Sequence, residues 1–367
     1  MKAVIRCDAS HQIGTGHVVR CLALADMLAE RGAEIIFIGR EFPGHLGRLI
    51  ESRGYESRLL PYEANMTAEF DANDYSTWLG ISPETDAAQT LEILKEEENP
   101  DWLIIDHYAI DRRWEKRLRS RVGGIMLIDC LADRPHDCDI LLDQNLYTNQ
   151  ENRHRNLVPE NCRVLIGPQY ALLRREFREA RRTLRERDGR IGNILIQLGG
   201  VDKSNETTKA LEAVIGLKRP DIKIEVVVGL NNSHRLEIEK RCDQFENITY
   251  HCQTSRVAQL MAAADLAIGA GGITTWERCF LGLPSLTVIV ARNQETATGE
   301  LHKLGATLNL GWYENVTPEI IREALKKVLD NPSLLKKMGQ KALAIMGEGI
   351  SDEPGELLKL LFEKTRV

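Results

Sequence analysis

The stretch Gly14-Thr15-Gly16-His17 places an imidazole directly after two glycines, where the apolar run Lys2–Cys7 gives way to a helical pattern from His17 to Arg31. That spacing puts His17 at the N-terminal end of a helix. The positive end of the helix dipole opposes a second charge on the ring there. A neutral imidazole is what a general base needs near neutral pH. The plainer alternative is a histidine that caps the helix or fills space. In a Gly-x-Gly-His turn after a first strand, the functional role is favoured. Gly14 and Gly16 let the backbone turn tightly and come close to a ligand, and N–H groups at a helix start favour an anion. Asp8 is placed to orient or balance His17, and Arg6 to hold a carboxylate or phosphate; equally, the two could partner each other.

The second half repeats the theme. Gly199-Gly200 separates an apolar run from a helical pattern, which fits a backbone lip over a phosphate or sugar. The run Gly269-Ala270-Gly271-Gly272-Ile273-Thr274-Thr275-Trp276-Glu277 is more specific. Its glycines end a strand and offer N–H groups to a diphosphate. Thr274 and Thr275 open the helix and can donate to phosphate oxygens. Glu277 carries an acceptor pair suited to the two hydroxyls of a ribose, or simply offsets the helix dipole. Asn293 and Gln294 follow a further strand and can hydrogen-bond a uracil edge or a sugar acetamide, although Asn293 also fits a plain N-cap.

A dinucleotide fingerprint is not met. Its third glycine would fall at Val19, and the second strand ends in Gly39-Arg40 rather than an acid. NAD is disfavoured, and NADP is left only the weak support of Arg40.

The elements that must carry these loops alternate. In the first half, strands are expected at 2–7, 34–38, 102–105, 125–129 and 140–142, with helices such as 17–31 and 84–95 between them. After a charged helix and linker over 174–190, the alternation restarts. Strands are expected at 191–197, 223–228, 247–250, 266–268 and 286–289, with helices at 203–215, 234–245, 257–263, 274–281 and 317–329. Apolar strands alternating with helices indicate a parallel, doubly wound α/β sheet, here twice. Ligands of such sheets bind outside the carboxyl ends of the strands. Asp106-His107-Tyr108 sits at such an end, and Trp78-Leu79-Gly80 lies in a polar insertion over 62–90 that could serve as a lid. The expected organisation is an N-terminal Rossmann-like domain over 1–180, a second over 190–350 and a C-terminal helix within 351–367 that could pack back on the first.

Composition narrows the class. The chain has 367 residues, 43% hydrophobic and 28% charged, and a net charge of -6. An acidic chain does not suit nucleic acid, which calls for a clustered basic surface. Eight cysteines show no CxxC pair, and Cys130, His136 and Cys138 do not follow a zinc pattern. No apolar run approaches the roughly 20 residues of a membrane span. The expectation is a cytoplasmic protein without metal or cofactor, monomeric or weakly oligomeric.

At this point a resemblance appears. Gly14–Leu22, Trp78-Leu79-Gly80, Asp106-His107-Tyr108, Gln197-Leu198-Gly199-Gly200, Gly269–Glu277 and Asn293-Gln294-Glu295 are similar, in order, to segments of the UDP-2,4-diacetamido-2,4,6-trideoxy-β-L-altropyranose hydrolases of pseudaminic acid biosynthesis. Those are related to spore-coat polysaccharide proteins. The second-half glycines also resemble the N-acetylglucosaminyltransferase of peptidoglycan synthesis. The resemblance implies a GT-B fold, two Rossmann-like domains with an interdomain cleft. It implies UDP on the second domain, His17 as base, and Tyr108 and Asn293 as active-site positions. It implies metal-free, inverting attack of water at the anomeric carbon of a UDP-sugar. The lengths around 62–90 and 145–160 depart from the family. The alternatives are a GT-B glycosyltransferase with a sugar or lipid acceptor, an NADP-dependent oxidoreductase, and a sugar-nucleotide sensor without turnover.

Overall fold

A computed structural model describes residues 1–62, 74–347 and 354–363. The chain divides into two compact units that part at Arg174/Arg175, with the C-terminal helix belonging to the first. The first unit holds β1 (Lys2–Cys7), α1 (Gly16–Ala29), β2 (Glu34–Arg40), α2 (Gly47–Ser52), β3 (Glu56–Leu60), α3 (Pro83–Glu96), β4 (Trp102–Asp106), α4 (Arg112–Leu118), β5 (Gly124–Ile128), β6 (Ile140–Asp143) and β7 (Arg163–Ile166). The second begins with α5 (Arg175–Arg182) and β8 (Asn193–Gln197), then α6 (Glu206–Gly216), β9 (Lys223–Val228), α7 (Arg235–Cys242), β10 (Ile248–Cys252), α8 (Val257–Ala263) and β11 (Leu266–Ala270). It continues through α9 (Thr274–Phe280), β12 (Ser285–Ile289), α10 (Glu295–Lys303), β13 (Thr307–Trp312), α11 (Pro318–Leu329) and α12 (Pro332–Ile345); α13 (Gly355–Glu363) then returns to the first unit.

Each unit has one parallel sheet, ordered β3-β2-β1-β4-β5-β6-β7 in the first and β10-β9-β8-β11-β12-β13 in the second. Successive residues of β1 serve opposite faces. Val4 packs with Ile36, Ile38, Leu103 and Ile105, while Ala3, Ile5 and Cys7 pack with Phe37, Trp102 and Ile104. Burial on both faces is why these strands read as continuous apolar runs. β3, β7 and β13 went unread because they are half-exposed at or near the sheet edges and mix in polar residues. The short helices α2 and α4, and also α10 and α12, were not marked out by the sequence either. Three helix starts share one device: Ser82, Thr317 and Asn331 each accept a backbone N–H at the cap, and each is followed by proline.

Strand order reverses between β1 and β4 in the first unit and between β8 and β11 in the second. These are the switch points at which open α/β sheets bind ligands. Leu357, Leu358 and Leu361 of α13 join the first core, and Trp102 Nε1 donates to the Leu361 carbonyl at 2.9 Å. Trp78 and Leu79 are buried at a short helical turn over 75–79. Residues 63–73 of the expected lid lie outside the described residues, as do 351–353 and 364–367.

Behind the β1 switch point lies a buried ionic network. Arg6 donates to Asp8 Oδ1 at 2.7 Å and to Asp86 Oδ2 at 2.8 Å; Arg40 donates to the same Asp86 oxygen at 2.7 Å, and Trp114 Nε1 donates to Oδ1 at 2.9 Å. Burial works against the charge on Asp86, but Arg6 and Arg40 hold its carboxyl below the usual range. Removing one partner from such a network leaves a buried charge uncompensated. Asp86→Ala is therefore expected to cost about 3–5 kcal/mol in the first unit. Urea unfolding followed for each unit separately checks this: the second unit's transition should stay in place.

Candidate active site

The loop after β1 is a tight turn. Ser10 Oγ accepts from the backbone N–H groups of Gln12 and Ile13, at 3.1 and 2.9 Å, and Gly14 N–H donates to the Ser10 carbonyl at 2.9 Å. Gly14 sits at φ +83°, a conformation only glycine takes without strain. α1 then starts at Gly16 and holds His17 in its first turn.

β1 and β4 pair with Cys7 opposite Asp106. This register brings the last residue of β4 under the start of α1. His17 Nδ1 lies 2.6 Å from Asp106 Oδ1. Arg20, one turn further along α1, grips both Asp106 oxygens at 2.5 Å. The Cys21 thiol adds a contact to Oδ2 at 3.5 Å. Asp106 is fully buried, which opposes ionisation, but Arg20 and then His17 hold its carboxyl well below the usual range. An ionised carboxylate only accepts hydrogen bonds, so the proton in this pair is assigned to His17 Nδ1. His17 Nε2 then carries the lone pair.

Aromatic rings pack against the imidazole. Tyr108 and Trp78 meet the imidazole edge-on, with centroids at 4.7 and 5.9 Å, and Tyr75 packs against both. Ile13 and Leu131 complete the apolar cluster. The hydroxyl of Tyr108 is 2.9 Å from the Cys130 thiol, and its ring stands T-shaped to that of His17. Arg6, expected at the ligand, is fully buried and pairs with Asp8 and Asp86. His107 belongs to that network too, with Nε2 at 3.2 Å from Asp8 Oδ2.

In the second unit, the loops after β8 and β11 leave neighbouring strands at the same level, because Gln197 pairs with Gly269. Gly199 is at φ +107°, and a Cβ on Gly229 would stand 2.1 Å from the Gly200 carbonyl. A Cβ on Gly271 would meet Thr298 Oγ1 at 2.4 Å and Gln294 Cβ at 3.1 Å, and the closest atom to one on Gly272 would be Gln294 Nε2 at 3.6 Å. So Gly271, Gly272 and Gln294 come together. Gln294 Oε1 is fixed by the Val290 N–H at 3.0 Å. Asn293 is half-buried in the short turn over 292–294.

Arg278 braces this turn from behind. Its Nη2 donates to the Ala270 carbonyl at 2.8 Å and to Thr275 Oγ1 at 3.1 Å, and its Nη1 to Thr274 Oγ1 at 3.1 Å. Burial lowers its guanidinium pKa to about 10. Thr275, expected at a phosphate, is buried within this brace, whereas Thr274 remains half-exposed. Glu277 is buried one turn into α9.

Sequence reasoning did not single out Arg20, Arg278 or Thr298, and noted Asp106 only within a strand-end triplet. Arg20 and Arg278 had a signal, helical spacing of three or four from His17, Thr274 and Thr275.

Residues 193–352 match the model of the glycosyltransferase family 28 C-terminal domain. The uncharacterized protein MJ1062 of Methanocaldococcus jannaschii is 28% identical over 303 residues, covering 80% of this chain but only 56% of that protein, so the chain spans little more than half of that relative. The UDP-2,4-diacetamido-2,4,6-trideoxy-β-L-altropyranose hydrolase of Campylobacter jejuni is 28% identical over 83% of this chain and 97% of its own. The spore coat polysaccharide biosynthesis protein SpsG of Bacillus subtilis is 25% identical over 90% of each chain. Among solved structures, MurG of Acinetobacter baumannii superimposes with a TM-score of 0.62 at 15% identity over 99% of both chains. UGT2 of Phytolacca americana, complexed with UDP-2fluoro-glucose and pterostilbene, gives 0.68 at 12% identity over 99% of both. The chain therefore has the GT-B fold of these structures, and its sequence is similar to the altropyranose hydrolase and SpsG over most of its length.

Proposed function

We propose that this GT-B enzyme processes UDP-sugars, and that it hydrolyses a UDP-linked diacetamido-trideoxy hexose to UDP and free sugar. The observation that carries the proposal is the His17–Asp106 pair at the first switch point. With the proton on Nδ1 donated to the Asp106 carboxylate, Nε2 is the acceptor for a proton from water. The water oxygen bonds to the anomeric carbon, and the bond from that carbon to the UDP oxygen breaks. UDP leaves with the electron pair, and the configuration at that carbon inverts. The imidazolium returns its proton to solvent. Tyr75, Trp78 and Tyr108 keep the surroundings apolar, which strengthens the pair's electrostatics. In this reading Gly199, Gly200, Gly271, Gly272, Thr274 and Glu277 hold UDP, with Thr275 in support. Asn293 and Gln294 reach the sugar side.

A glycosyltransferase is the second reading, favoured by the family 28 match over 193–352. It differs only in the acceptor hydroxyl that takes the place of water.

Incubation with UDP-diacetamido-trideoxy hexoses in H₂¹⁸O, read by mass spectrometry and NMR, separates the outcomes. Label in the sugar is expected. Label in UDP would overturn attack at carbon, and turnover only with an added acceptor would favour transfer. His17→Ala should lower kcat by about 10²–10⁴ while UDP affinity stays within a few-fold; near-normal turnover would remove His17 as base. Gly271→Ala forces a Cβ against Thr298 and should raise KM about tenfold, about 1.4 kcal/mol, with little change in kcat.

A further inference from the structure

Arg20 follows His17 by three residues, so a single helical turn brings both onto one face of α1. Its fork holds Asp106 through Nε and Nη2. The same Nη2 stands 3.3 Å from His17 Nδ1. Two protonated nitrogens do not bond to each other, so this close approach is a cation set against the edge of the imidazole. All three side chains are at least nine-tenths buried or close to it, at 0%, 5% and 10% exposure for Asp106, Arg20 and His17.

A histidine–carboxylate pair alone in so dry a place would carry one negative charge. That charge would favour the doubly protonated ring and consume the base. With Arg20 present, the group of three is neutral when His17 is neutral. We infer that Arg20 is a positioning residue that both fixes the plane of Asp106 and cancels its charge, so that His17 keeps Nε2 open for water. This rests on the proposed role of His17 as base.

The other groups around the His17–Asp106 pair do not supply that balance. Cys21 lies on α1 with Cys7 behind it, Tyr108 follows β4, Cys130 comes from the loop after β5, and Tyr75 and Trp78 come from the turn over 75–79. Burial pushes the Cys130 thiol up to about 12, and pushes Tyr108 and Cys21 well above their usual ranges, so these three stay uncharged near neutrality. His107 is engaged with Asp8 instead.

The test uses full-length protein with ¹⁵N-labelled histidine, His17 being assigned by its loss in His17→Asn. Ring nitrogen shifts are followed against pH, alongside kcat/KM. In the unaltered protein the Nδ1–H tautomer is expected. Arg20→Gln should move the ring's titration midpoint, and the acid limb of kcat/KM, upward by about one pH unit or more. Arg20→Lys keeps the charge but loses the fork; its midpoint should stay close to the original while kcat falls and KM holds. Asp106→Asn, with Arg20 in place, should move the midpoint downward and weaken the tautomer preference. Opposite displacements in Arg20→Gln and Asp106→Asn support the inference. No displacement in either, or displacement in the same direction, overturns it, and if Arg20→Gln does not fold, an unmoved midpoint in Asp106→Asn does so alone. Because the ring is read without substrate, failure of the hydrolase reading would show separately, as absent turnover with the displacements intact.

Discussion

A carboxylate cannot remain ionised in a dry interior unless donors and positive charge surround it. Asp106 meets that condition through Arg20, His17 and Cys21, all three from the first turns of α1. The pairing constrains the molecule in both directions. It anchors the start of α1 to the end of β4, and it dictates which nitrogen of His17 bears the proton. A second buried network, centred on Asp86 and Asp8, sits directly behind and secures β1, β2 and α3 by the same principle. Two arginines in sequence positions that suggest ligand binding, Arg6 and Arg40, are thereby absorbed into the scaffold.

The two units solve the problem of ligand approach in related ways. Each reverses its strand order once, and each puts its glycine-bearing loops at that reversal. In the first unit the loop presents an imidazole. In the second it presents a glycine turn whose backbone is held by a buried arginine, with Thr298 and Gln294 filling the space where side chains would be. The glycines at 271 and 229 are therefore demanded by close approach of neighbouring atoms, and that at 199 by a positive φ.

Fold class and the placement of most strands were legible because strands buried on both faces must be apolar along their whole length. β3, β7 and β13 escaped for the complementary reason: half-exposed strands tolerate residues such as Glu56, Arg163 and Asn309, and their pattern dissolves into the loops around them. Helices were read less completely: α1, α3, α6 and α11 showed in the pattern, whereas α2, α4, α10 and α12 did not.

His17 could be found from the chain alone because its meaning is local: two glycines, a strand end and a helix start lie within a few residues. Its partner could not. Asp106, His107 and Tyr108 are adjacent in sequence, and all three are polar groups at a strand end. Only the pairing of Cys7 with Asp106 across two strands decides that the aspartate meets the imidazole, that His107 serves Asp8, and that Tyr108 lends its ring. Short-range spacing fixes which element a residue joins and which face it takes. Electrostatic partners 80 or more residues away are fixed by sheet register, which is a property of the assembled core and not of any segment within it.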